Sequence, residues 1–110
     1  MYRIGFCKQV EQEHRDDKRQ YAHVFHIDNQ VCVAQDFEKL PDRNRLGILM
    51  HEYGHILAGK YGSEEAANES VARETGIRIF YSSSRHGKHL EFIQPMDFGQ
   101  ARAILARGFK

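Results

Sequence analysis

Residues 46 to 59 read LGILMHEYGHILAG, and no other stretch limits the fold as tightly. A segment this apolar must be covered on most sides, so the remainder of the chain has to build its core around it. Helical periodicity runs from Arg45 to Ala58 and is stopped by Gly59, which predicts a central helix. Yet His51, Glu52 and His55 stand in its middle, where burial penalises charge. Helix geometry gives them a use. Residues four apart stack one turn above each other, so His51 and His55 can aim both imidazoles at one point and clamp a metal ion. Glu52, rotated about 100° from His51, places a carboxylate beside that ion, where it can take a proton from water. The apolar flanks strengthen metal–ligand electrostatics, and Gly54 leaves room for another segment to come close.

At 110 residues the chain fits one domain, taken as 1–110, able to bury roughly two-thirds of its unfolded surface. Sixteen Lys and Arg against fifteen Asp and Glu give a net charge of +1. No electrostatic footprint for nucleic acid or an anionic membrane stands out. The N-terminal apolar run is too short for a signal peptide, and nothing approaches the roughly 20 apolar residues of a membrane span. Cys7 and Cys32 form neither a disulfide framework nor a zinc knuckle, and both are read as reduced. These features lead to the expectation of a cytoplasmic protein. The seven histidines include five outside the central helix, His14, His23, His26, His86 and His89, read as surface or hairpin side chains.

The chain shows no repeat, low-complexity tract or dividing linker. EQEHRDDKRQ, residues 11 to 20, reads as a solvated charged run. YAHVFHI (21–27) and QVCVA (30–34) are β-formers around Asp28-Asn29, which predicts a hairpin. Asp42 can cap the central helix. Ser63 caps a second one, with Glu64 and Glu65 in its first turn and an alanine-rich continuation through AANESVARETGIRIF. The short GKYG connection makes the two helices antiparallel neighbours. SSSRHGKH reads as a loop or hairpin turn, LEFIQ as a short strand, and DFGQARAILARGF as a C-terminal helix. The expected fold class is α+β: a short antiparallel sheet, the hairpin at about 21–34, packed on the central helix and its antiparallel partner, plus the C-terminal helix.

HEYGH resembles the HExxH signature of zinc metallopeptidases, and a glutamate on the following helix resembles the gluzincin branch, whose third ligand is Glu. Metzincins carry a third histidine six residues after the motif, where this chain has Tyr61. The short chain, the phrasing LGILMHEYGHILAG and the acidic, alanine-rich second helix are most similar to ImmA/IrrE-type and minimal gluzincin proteases, over about residues 30 to 80. The resemblance implies a zincin-like domain with His51, His55 and a glutamate on Zn²⁺. Glu64, Glu65 and Glu69 are the candidates. In an antiparallel pair the third ligand is expected as far beyond the turn as the histidines lie before it, which favours Glu69. NESVARETG also resembles a gluzincin segment in which an Asn-Glu pair leads a helix ending in Gly. Gluzincins, however, usually place Asp or Asn four residues after the ligand, and that position after Glu69 is Arg73. Glu64 with Asn68 satisfies this pattern, but Glu64 falls at the first helical position, where a first-turn anion is its ordinary role.

The implied reaction is peptide hydrolysis: zinc lowers the pKa of its water toward ~7, Glu52 takes the proton, and hydroxide attacks the carbonyl. Tyr81, His86 or His89 is the candidate oxyanion donor. A peptide or specific protein substrate is expected, adding as a strand to the edge of the 21–34 hairpin; oligomeric state is left open. Two rivals stand beside this reading, a non-catalytic zinc-binding regulator and a metal-free interaction module.

Overall fold

The computed structural model describes residues 3–5, 22–25, 30–33, 35–59, 62–83 and 89–108. Three helices carry the core: α1 (Asp42–Ala58), α2 (Glu64–Thr75) and α3 (Phe98–Gly108). Leu46, Ile48, Met50 and Gly54 of α1 are buried, and α1 contacts α2, α3 and the strands Ala22–Phe25 and His89–Phe92. It is the hub because its apolar residues are not confined to one stripe, so one neighbour cannot cover them.

The helix ends have local causes. Helix α1 begins before the periodic segment, with Pro41 in the cap position and no side-chain cap bond. Asp42, expected as the cap, is instead a first-turn anion paired with Arg45 and, at 3.2 Å, with Arg102 of α3. At the other end Gly59, at φ 91°, donates its N–H to the His55 carbonyl at 3.0 Å. Ser63 caps α2 as expected, its Oγ accepting from the Ala66 N–H at 3.1 Å. The expected continuation of α2 through Phe80 is corrected: the helix stops at Thr75 because Gly76 turns left-handed, at φ 77°. Thr75 Oγ1 donates to the Val71 carbonyl and accepts from the Ile77 N–H, which turns the chain so that Ile77 enters the core.

The expected sheet is also corrected. Helix dominates the regular structure: α1 alone has 17 residues, and no described strand exceeds four. Strands β1 (Arg3–Gly5), β2 (Ala22–Phe25) and β3 (Gln30–Val33) form a mixed sheet in the order β1-β3-β2, with β1 parallel to β3. Strands β4 (Phe80–Ser83) and β5 (His89–Phe92) form a separate antiparallel pair. A single antiparallel hairpin laid as a layer across two helices is therefore the wrong description. Strands this short cover only part of α1, and α2, α3 and the connecting segments pack against the rest. Val31, Val33, Phe37, Ile77 and Ile93 complete the core around α1, with Val71 from α2 and Ala101 and Leu105 from α3. The charged run 11–20, His14, His26, Cys7 and most of SSSRHGKH lie outside the described residues, as do the side chains of His23 and Cys32. No helix among the described residues is long and apolar enough to cross a membrane.

One glycine sets the spacing of α1 and α2. A Cβ on Gly54 would fall 2.2 Å from the Ala67 carbonyl oxygen and 2.9 Å from Val71 Cγ2. The first obstacle is backbone, so relief requires moving α2 as a body. Gly54→Ala is expected to destabilise the protein by about 2 kcal/mol despite the better helix propensity of alanine. Urea unfolding monitored by circular dichroism checks this, and unchanged stability would show that the helices are farther apart.

Candidate metal centre

The antiparallel pair brings α1 and α2 together at the two histidines. The side chain of His51 is 4% exposed and that of His55 18%, while that of Glu64, the first residue of α2, is 70% exposed. The ligand atoms of these three residues lie within 4.8 Å of one another. His51 Nε2 is 2.5 Å from Glu64 Oε2 and 3.1 Å from His55 Nε2, and His55 Nε2 is 3.4 Å from Glu64 Oε1. The two rings meet edge to face, with centroids 4.7 Å apart and planes at 87°. His51 and His55 thus converge through one turn of helix, as their spacing requires.

Asn68 fixes the chemistry of the buried ring. Its Oδ1 stands 2.7 Å from His51 Nδ1, so Nδ1 carries a proton and donates it. In neutral His51 the lone pair then resides on Nε2, the atom facing Glu64 and His55. An imidazole lone pair, a carboxylate and a second imidazole nitrogen share one small space. Such acceptors repel one another unless a cation stands among them, either a proton on an imidazole or a metal ion. With protons as the cation, hydrogen bonds from His51 first and His55 second hold the Glu64 carboxyl well below the usual carboxylate range, against the desolvation that raises it.

The donor set also fits a metal. Tetrahedral zinc with bonds of about 2.0–2.1 Å spaces its ligand atoms about 3.3 Å apart. The 3.1 Å between the two Nε2 atoms matches, and Glu64 brings Oε2 to 2.5 Å from His51 Nε2 and Oε1 to 3.4 Å from His55 Nε2, so its carboxylate would have to turn to offer a single oxygen to both. The exposed, long side chain of Glu64 can make that adjustment. The group is compatible with a metal ion held by two imidazoles and one carboxylate.

The third residue is Glu64; Glu69, favoured from the sequence, is not in the group. The Gly62 N–H bonds the Gly59 carbonyl at 3.1 Å, giving a tight connection, and α2 starts at once, so its first residue already reaches the histidines. One turn later the level opposite His51 belongs to Asn68. Glu69, a further 100° or so around the helix, lines a groove with Glu65, Asn68, Ala72, Arg78 and Ile79. The signal that pointed to Glu64 was its four-residue spacing from Asn68, which places a ligand and an imidazole acceptor on one face. Glu52 is buried, at 6% exposure, immediately after His51. The side chains of Tyr81, His86 and His89 lie outside those described.

Comparison with protein-family models, with curated proteins and with solved structures finds no match. The geometry therefore stands on its own.

Titration with Zn²⁺ followed by elemental analysis is expected to give about one ion per chain. Asn68→Ala should weaken binding about 10–100-fold, the usual effect of losing an imidazole's outer partner. Glu64→Gln should weaken it further, and Glu69→Gln should leave it unchanged. Equal losses in Glu64→Gln and Glu69→Gln would contradict the assignment.

Proposed function

We propose that the chain is a zinc-dependent peptidase of HExxH type, similar to gluzincins, with His51, His55 and Glu64 as the metal-holding residues and Glu52 as general base. The observation that carries this reading is the convergence of His51, His55 and Glu64 with Asn68 behind His51, around a motif that already contains a neighbouring glutamate. Two histidines and a glutamate form a donor set used by catalytic zinc, because three protein ligands leave one position open.

Bound zinc supplies Lewis acidity toward a peptide carbonyl and lowers the pKa of water to about 7. Asn68 holds His51 in the tautomer that presents Nε2. Glu52 accepts a proton from the attacking water and returns it to the leaving amine, so that a peptide bond and water become a carboxylate and an amine. Helix packing around His51 and Glu52 excludes bulk solvent and strengthens both interactions.

The proposed substrate is a peptide or a particular protein segment. Strand β3 is flanked on both sides, by β1 and β2. Of the 21–34 hairpin, only β2 offers a free edge among the described residues, and it is the strand to which an extended substrate would add. Without a disulfide framework from Cys7 and Cys32, a reducing cytoplasmic setting is proposed.

Glu52→Gln separates hydrolysis from metal binding. It is expected to retain about one zinc per chain and to lose about 10²–10⁴-fold in peptide cleavage, followed by mass spectrometry on a mixed peptide library. Cleavage at the wild-type rate by Glu52→Gln overturns the role of Glu52. A wild-type chain that binds zinc and cleaves nothing leaves a zinc-binding regulator.

A further inference from the structure

Beside the metal centre, α2 forms one wall of a groove of about 320 Å³ lined by Glu65, Asn68, Glu69, Ala72, Arg78 and Ile79. The four α2 residues are spaced as one helix face. Arg78 and Ile79, from the segment after Gly76, complete the lining. Glu65, Glu69 and Arg78 are exposed, whereas Asn68, Ala72 and Ile79 are half-buried. The groove therefore has a floor with two apolar side chains and charged rims.

We infer that this groove takes a lysine or arginine side chain of an extended peptide substrate, flanking the bond to be cleaved; the inference rests on the peptidase reading. A long basic side chain is amphipathic: its methylenes favour apolar surface and its charged head favours water and carboxylates. Ala72 and Ile79 supply the first environment. Glu65 and Glu69, one turn apart on the same face, supply the second, and among the described residues neither is tied up in an ion pair. Arg78, an exposed donor of the same lining, is proposed to bond carbonyl oxygens of the peptide backbone.

The groove is continuous with the metal centre through α2. Asn68 lines the groove and also bonds His51, and Glu64 adjoins Glu65 in sequence. A residue seated here lies about one helical turn from the site. Glu65 and Glu69 are thus specificity-determining residues, without contact to the reacting bond.

The test pairs binding with cleavage. Fluorescein-labelled peptides that differ only in lysine against norleucine are titrated by anisotropy into zinc-loaded Glu52→Gln protein, with and without the added pair Glu65→Gln and Glu69→Gln. Both glutamates are exposed, and a thermal melt verifies that the variants fold. The lysine peptide is expected to bind about five- to tenfold more tightly, a preference that fades at high salt and disappears in the glutamine pair. A preference that survives the glutamine pair, or no preference at all, overturns the inference. Cleavage of the two peptides by wild type distinguishes the two readings. Equal cleavage of both leaves a peptidase without this subsite, and preferential binding with no cleavage leaves the groove and removes the peptidase.

Discussion

The contact between Gly54 and Ala67 determines whether there is a site. Any side chain at 54 would strike the α2 backbone, so its absence lets two helix axes approach more closely than ordinary side chains permit. That approach brings residues of α2 within hydrogen-bond distance of two histidines on α1. The glycine lies between the histidines in sequence, just before His55. Packing and chemistry are consequently one constraint, because separating the helices would both open the core and pull Asn68 and Glu64 away from His51.

The electrostatics follow from that closeness. A buried imidazole whose Nδ1 is committed to an amide oxygen presents its lone pair on the other side, where a carboxylate already stands. In a water-poor setting this arrangement is unfavourable without positive charge at its centre. Protons meet the need, with Glu64 as the acceptor, and so does a divalent ion. The exposures decide where exchange with solvent occurs. His51 is enclosed and Glu64 is open, so the carboxylate is the member through which the centre meets solution.

Much of this centre was legible in the chain, because helix periodicity alone dictates that His51 and His55 share a face. The Ser63 cap and the short connection likewise follow from local chemistry, and they fix the antiparallel pair. What sequence could not supply was the rotation of α2 about its axis relative to α1. That angle is set by Gly54 against Ala67, a contact between residues distant in the chain, and it decides between Glu64 and Glu69. The reasoning from equal distances on either side of the turn treated only height along the axis. Asn68, four residues after Glu64, carried the missing information as an acceptor that a buried imidazole needs. The sheet was less legible for a related reason: the β-forming segments are visible, but the parallel pairing of β1 to β3 is non-local, and α1 is covered jointly by helices, strands and connecting segments. The end of α2 at Thr75, short of the apolar run that follows, reflects the left-handed turn at Gly76 and the core position that Ile77 fills.

The same rotation explains why acidic residues on one helix divide into two jobs. Glu64 reaches the histidines, while Glu65 and Glu69 face the groove, because each step along α2 turns the side chain by about 100°. Asn68 lies on the boundary, with one side toward His51 and the other toward the groove wall. One amide thus belongs both to the His51 hydrogen bond and to the groove lining, because four-residue spacing puts Asn68 on the face of Glu64 and three-residue spacing puts it beside Glu65.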